Sequence, residues 1–461
     1  MGRRQALRDR REFLKRCCSI TAGGLAGFYG LSNSLQLANA AVGPGGEDYR
    51  ALVCIFLFGG NDSWNMFVPR DAVPYGAYAA SRQNLAIPLA NLIQVNTVSP
   101  AGSYGFHPSC QQLANLYNSG DLAVVANMGV LLEPTTKAAY DARTANLPAQ
   151  LFSHNTQQQH WQTSRPDSTE RTGWCGRVAD LLTSANQGAA VSMNISLFGN
   201  NTQQTGATSL PYNVTSRGVP TLDGINDRNT INTIRKQAFE SILNMSHQHR
   251  FVREYANVQQ RAIGLAETID NELDNATPLS TQFPNSRLGQ QLEQVARLIQ
   301  IRAALGVDRQ VYFVGAGGWD THGQQATRQP NLLGDLSDCM AAFYGATVEM
   351  GLEDNVTSFT ASDFGRTLTS NGDGSDHGWG GHSLVMGGCV NGSRIFGTMP
   401  TLEIGGPDDT RGGRLIPTTS VDQYVATLAR WYGVPQGQIS TVVPNVTRFA
   451  TDDLGFMQLI P

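Results

Sequence analysis

The sequence predicts an α/β domain, a three-layer sandwich with a mostly parallel central sheet between helices. Three observations point there. Short runs at residues 51–58, 122–127 and 310–314 are largely apolar and read as strands, the first buried on both faces, and Val356-Thr357-Ser358-Phe359-Thr360 also reads as a buried strand. Helical patterns separate most of these runs, which argues for crossover connections and a parallel sheet. Three of the runs end in turns that hold an aspartate, and open α/β sheets keep their ligand sites beyond strand ends of this kind. A chain of 461 residues is long enough for one large domain with a deep core.

The first 40 residues stand apart from that core. Arg10-Arg11-Glu12-Phe13-Leu14-Lys15 is a twin-arginine pattern, followed by a mildly apolar stretch and the small-residue site Ala38-Asn39-Ala40. This reads as an export signal cut after Ala40, with the twin-arginine export machinery as partner and a periplasmic or extracellular destination. The apolar stretch is broken by Gly23, Gly24, Gly27, Gly30, Asn33 and Gln36 and falls short of the roughly 20 apolar residues of a membrane span. No stable membrane span is therefore expected after cleavage. Cleavage leaves 26 basic and 35 acidic residues, a net charge of −9 that gives no sign of nucleic-acid binding. The five cysteines beyond residue 40 are far apart and show no CxxC spacing, so neither a zinc ribbon nor a dense disulfide framework is indicated.

Residues 41–461 read as the domain. Its first run, 51–58, ends in Gly59-Gly60-Asn61-Asp62-Ser63, which puts Asp62 at a strand tip. Residues 71–105, rich in Pro, Asn, Ala and Gly, read as a long surface excursion. His107 precedes a helix and reads as a polar residue at its entrance. Ser153-His154 opens a helix through Trp161. Ser153 would lie at the positive end of the helix dipole, either as an ordinary cap or as a group that binds or attacks an anionic centre. Residues 190–230 turn polar after a strand-like start and read as a cap or insertion. Helices are expected over 229–275 and 287–305, where Leu288, Leu292, Val295, Leu298 and Ile299 make a core-facing stripe; His247 and His249 read as solvated.

The strand at 310–314 ends in a glycine-rich turn carrying Trp319-Asp320-Thr321-His322. The Asp-x-His spacing turns both side chains to one side of an extended segment. A helix over 332–350 leads to the strand at 356–360 and then to Ser362-Asp363-Phe364-Gly365-Arg366-Thr367. After a short polar loop comes Asp376-His377-Gly378-Trp379-Gly380-Gly381-His382. A strand at 384–386 and a closing helix at 420–431 complete the chain.

Five of the eight histidines fall in turns or before helices, alongside Asp62, Asp320, Asp363 and Asp376. Such nitrogen- and oxygen-rich clusters suit a divalent metal, Zn, Mn, Ca or Mg. Two ions would stabilise both ends of an in-line displacement at phosphorus or sulfur, with Arg366 as a clamp for the oxyanion. There is no Walker loop, Rossmann fingerprint, CxxCH haem site or GxSxG elbow, so nucleotide cofactors, c-type haem and a lipase-like triad have no support.

Phe56-Leu57-Phe58-Gly59-Gly60-Asn61-Asp62, Gly318-Trp319-Asp320-Thr321-His322, Asp363-Phe364-Gly365-Arg366-Thr367 and Asp376-His377-Gly378-Trp379-Gly380-Gly381-His382 together resemble the domain-of-unknown-function 1501 family. These are exported bacterial proteins grouped with the alkaline phosphatase and sulfatase superfamily. The resemblance implies an alkaline-phosphatase-like fold with one or two metal ions at the strand ends. It implies metal roles for Asp62, Asp320, His322 and Asp363, with His377 or His382 as the late histidine. Ser153 stands where the superfamily places its nucleophile, with Arg366 or His154 beside the oxyanion. Phe364 departs from the pattern: it occupies the histidine position of the superfamily's Asp-His-Gly motif and cannot ligate metal. The function expected on this basis is an exported metal-dependent hydrolase of small phosphate or sulfate esters. Its alternatives are a non-catalytic cell-envelope binding or assembly protein that keeps part of the site, and a metal enzyme of another class, such as a phosphomutase or lyase.

Overall fold

A computed structural model describes residues 49–189, 191–219, 229–246 and 248–458; the expected export signal at 1–40 and His247 lie outside them. In chain order the strands are β1 (Arg50–Leu57), β2 (Phe67–Pro69), β3 (Ile93–Val95), β4 (Tyr104–Phe106), β5 (Leu122–Gly129), β6 (Asn194–Ser196), β7 (Tyr212–Asn213), β8 (Arg309–Ala316), β9 (Val356–Ser362), β10 (Arg366–Ser370), β11 (Ser375–His377), β12 (Gly381–Met386), β13 (Ile395–Phe396) and β14 (Thr419–Ser420).

β1 lies inside a nine-stranded sheet of order β13-β5-β12-β9-β1-β8-β6-β7, with β14 also on β5. Its side chains alternate between two cores. Ala51, Val53, Ile55 and Leu57 pack with the helices Gln111–Ser119, Arg287–Gln300 and Gln325–Glu349, whereas Leu52, Cys54 and Phe56 pack with Trp174–Leu181 and Val421–Tyr432. A strand apolar on both faces needs a cover on both, so three layers follow from its composition. Each large apolar side chain buried in this way contributes roughly 1.5–3 kcal/mol relative to exposure. Pairing along the sheet is parallel except at β12, which runs antiparallel to both β5 and β9.

Register places the site. Leu57 of β1 is level with Ala316 of β8 and Ser362 of β9, so three neighbouring strands end together and their loops leave from one edge. Those loops carry Asp62, Asp320 and Asp363.

Three segments differ from expectation. Residues 71–105 are not a bare excursion, because they hold the helix Ala72–Arg82 and, with neighbouring residues, the small sheet β2-β4-β3; Tyr78 and Arg82 of that helix are fully buried. β6 and β7, from the stretch read as a cap or insertion, extend the edge of the main sheet beside β8. The helix expected from 332 begins at Gln325, and its first turns turn polar side chains inward, so no apolar stripe announced them. The five cysteines beyond residue 40 are buried. Among the described residues no helix is long and apolar enough to cross a membrane.

Candidate metal centre

The turn after β1 passes close under the loop after β8. Gly59 adopts φ +122°, and a Cβ there would lie 2.3 Å from the backbone nitrogen of Asp320, so only glycine lets the two loops meet. The chain after β9 is drawn in just as closely: a Cβ on Gly365 would stand 1.8 Å from the Gly380 carbonyl oxygen. β10 and β11 then form a hairpin that sets Arg366 opposite His377.

Asp320 is the centre of the resulting cluster. Arg366, fully buried beneath it, donates from Nη1 to Oδ1 at 2.6 Å. The Nε2 atoms of His322 and His377 lie 3.1 and 3.3 Å from that same oxygen, and the Nε2 of His154 lies 3.5 Å from Oδ2. Burial alone would raise the Asp320 carboxyl, but the hydrogen bond and charge of Arg366, with His322 and His154, outweigh it and hold the group below its ordinary value.

The other nitrogen of each histidine meets an oxygen. His154 Nδ1 is 2.6 Å from Asp363 Oδ2, His322 Nδ1 is 3.0 Å from Asp376 Oδ1, and His377 Nδ1 is 2.8 Å from the Phe152 carbonyl. A carbonyl only accepts, so His377 carries its proton on Nδ1 and turns a lone pair from Nε2 toward Asp320. Burial keeps that imidazole neutral by lowering its pKa, partly offset by the Phe152 carbonyl. His154 is raised instead, by its hydrogen bond to Asp363 against the opposing effect of burial. The Nε2 of His154 is buried without a hydrogen-bond partner. The lone pair that His377 Nε2 turns toward the Asp320 carboxylate is unfavourable there unless a proton or a cation lies between them.

These residues fit a metal ion. His154, Asp320 and His377 offer ligand atoms that all lie within 4.8 Å of one another, and His322 adjoins them, 2.8 Å from His377 between Nε2 atoms. Ligands at about 2.0 Å around a tetrahedral ion stand roughly 3.3 Å apart, close to the separations here. Imidazole-rich donors suit zinc better than calcium or magnesium, which take oxygen. The oxygen behind each Nδ1 is the support that metal-binding histidines commonly have.

Phe364 packs against two of the imidazoles. Its ring centroid is 4.9 Å from that of His154 and 4.6 Å from that of His377. The β10–β11 hairpin brings His377 to this face of the ring.

The remaining sequence candidates lie around this cluster. Asp363 is buried behind His154, and Gln158 donates to the same oxygen at 2.9 Å. Asp62 is buried in an ion pair with Arg82 and also accepts from the Gln325 amide, while Gln329 donates to its backbone carbonyl at 2.7 Å. Arg366 spends its donors on Asp320, the Gly59 carbonyl and Ser375, so its guanidinium faces protein rather than solvent. His382 sits apart in the core, edge-on to Trp64, with Nδ1 accepting from the Asn127 N–H; burial lowers its pKa to about 3. Ser153 is the N-cap of the helix His154–Thr163, and its side chain makes no capping hydrogen bond. Sequence reasoning did not find Arg82, Gln325 or Gln329. Two glutamines one turn apart on an inward helix face are the only trace of the latter pair.

The family described as "Protein of unknown function (DUF1501)" matches residues 49–421. A comparison with curated proteins finds no match. Among solved structures the chain is similar to the PsFucS1 sulfatase from Pseudoalteromonas sp. at 10% identity, covering 88% of this chain and 71% of that chain with a TM-score of 0.33. It is also similar to the soluble domain of lipooligosaccharide phosphoethanolamine transferase A from Neisseria meningitidis (9% identity, 84% and 88% covered, TM-score 0.30). A third similarity is to the C-terminal periplasmic domain of EcEptC from Escherichia coli in complex with Zn (10% identity, 74% of each chain covered, TM-score 0.28).

Proposed function

The chain belongs to the DUF1501 family, and from that premise we propose that it is an exported, metal-dependent hydrolase of phosphate or sulfate esters. One observation carries the reading. Three imidazoles, each tied through Nδ1 to an oxygen, turn their Nε2 atoms toward a single carboxylate. His154, Asp320 and His377 would hold the ion, with His322 beside them. When bound, the ion supplies a Lewis acid that polarises an ester oxygen and favours deprotonation of a hydroxyl.

The chain's own residues supply the rest. Ser153 stands at the N-terminus of a ten-residue helix, where unpaired N–H groups lower the cost of negative charge on its oxygen. In the proposed step Ser153 Oγ gives its proton to solvent and bonds to phosphorus or sulfur as the ester bond to the leaving oxygen breaks, and water protonates that oxygen. A second water then hydrolyses the seryl ester, its hydroxide bonding to phosphorus or sulfur and its proton returning to Ser153 Oγ. Asp363 fixes the ring of His154, and Arg366 keeps Asp320 ionised and in place rather than clamping substrate.

The buried state of Arg366 favours a second reading, a cell-envelope binding protein, because it leaves the anion without the expected clamp. Elemental analysis followed by a screen of phosphate and sulfate esters separates the two. Bound metal with turnover that Ser153→Ala abolishes while the metal stays supports the hydrolase. Bound metal with no turnover of any ester would turn the assignment to the binding protein.

A further inference from the structure

Resting on the reading of a metal centre at Asp320, we infer that the centre holds one ion and that Arg82 stands as a fixed internal cation where a second ion would meet Asp62. The resemblance of this chain implies a metal role for Asp62, and the surroundings of that carboxylate do not suit one. Asp62 and Arg82 are both fully buried, and Arg82 Nη2 donates to Asp62 Oδ2. The same oxygen accepts from Gln325 Nε2, so two fixed donors already claim it.

Arg82 is not a mobile side chain that an ion would push aside. Its Nε donates to Asn65 Oδ1 at 3.1 Å, and its Nη1 donates to the carbonyls of Thr367 and Leu368 at 2.8 and 3.2 Å. Four of the five guanidinium N–H donors are thus committed, and the group bridges the helix Ala72–Arg82, the turn after β1 and strand β10. Asn65 is itself held by Tyr78 at 2.8 Å and by the Leu85 carbonyl at 3.0 Å.

Asp62 Oδ1 is buried without a hydrogen-bond partner, as are Asp363 Oδ1 and Glu353 Oε2. An ion at Asp62 would share the carboxylate with a guanidinium, like charge against like charge in a region without solvent. Among the described residues the one group of three or more His, Cys, Asp and Glu ligand atoms within 4.8 Å of one another is His154, Asp320 and His377. Asp62 is joined to that group only indirectly. Gln325 accepts from Ser375 Oγ at 2.6 Å, and Ser375 accepts from Arg366, which holds Asp320. Asp62 and Arg82 therefore act as a neutral, rigid footing beneath the single ion.

The test is metal stoichiometry of the full exported chain, stripped with chelator, re-equilibrated with excess zinc, gel-filtered and analysed for zinc per chain. One ion is expected. Two would overturn the inference and leave the metal reading standing; none would overturn both. Asp62→Asn preserves the acceptor for Arg82, so this variant should keep one ion with an affinity within about twofold of the parent, as for groups that share no ligand. Asp320→Asn should lose it. Loss of the ion in Asp62→Asn, with its unfolding temperature in EDTA equal to that of the parent in EDTA, would show that Asp62 is a ligand and sink the proposal.

Discussion

A carboxylate behind an imidazole makes that imidazole a better ligand and fixes its direction, so Asp363 and His154 should separate in their effects. His154→Ala removes a ligand and should abolish zinc retention. Asp363→Asn keeps an acceptor but loses the charge, and should weaken zinc affinity by roughly 10–100-fold. Competition with a chromophoric chelator measures both, and equal affinities in Asp363→Asn and the parent would mean that the 2.6 Å contact does no work on the metal. The other histidines matter through stability. His382 is held at about 3, and His107 and His160 at about 4, each by burial first, all below the ordinary value of 6.5. Between those values the unfolded chain binds protons that the native chain refuses, so stability is full above about 6.5 and falls as pH drops toward 4. Each group steepens that fall by roughly 1.4 kcal/mol per pH unit. Urea unfolding of the chelator-treated protein at pH 7, 6 and 5 should show the loss, and His382→Gln should make it shallower; an unchanged slope would mean that His382 accepts a proton in the fold.

At the scale of elements, the site depends on loops that cross closely at the strand tips, and Gly59 is the sharpest of these crossings. Gly59→Ala forces a Cβ to within 2.3 Å of Asp320 N at φ +122°, which costs roughly 1–3 kcal/mol in backbone strain alone and displaces Asp320. Lower urea midpoints together with weaker zinc binding are expected; an unaltered midpoint would show that the two loops do not meet. The same elements show what a sequence displays. β1, β5 and β8 are visible because burial on both faces leaves apolar runs of useful length, and β9 because its small and β-branched residues suit a buried strand. β7, β13 and β14 have two residues each, too few for any period to emerge. The early turns of the helix Gln325–Glu349 stayed hidden for a chemical reason: Gln325 and Gln329 face a buried aspartate, so the inward side of the helix is polar where a pattern reader looks for leucine. Arg82 was invisible likewise, since an arginine on an alanine-rich helix looks solvated until its partner is known.

Across the whole molecule, the strand-tip logic pointed to Asp320, His322 and Asp363, and the structure brings them near one another because register sets three strand ends level. It left open whether His377 or His382 joins them, since both lie in one glycine-rich loop; the β10–β11 pairing turns His377 outward to the cluster, and β12 carries His382 into the core. The donors thus come from distant parts of the chain, His154 and Asp363 being 209 residues apart, and no such set persists once the chain unfolds. An ion that binds the native state alone stabilises it by about 2.7 kcal/mol at a free concentration of 100 times its Kd. For a chain of this size that corresponds to a rise of roughly 3 °C in Tm. Calorimetry should therefore show Tm falling when EDTA is added, returning with zinc, and climbing with the logarithm of free zinc. The variant Asp320→Asn should unfold at a temperature indifferent to both, because removing the carboxylate at the centre removes the linkage while the three strands beneath it keep their packing. A parent protein whose Tm ignores EDTA and zinc alike would mean that the imidazoles converge without an ion, held by Asp320 and Arg366 alone.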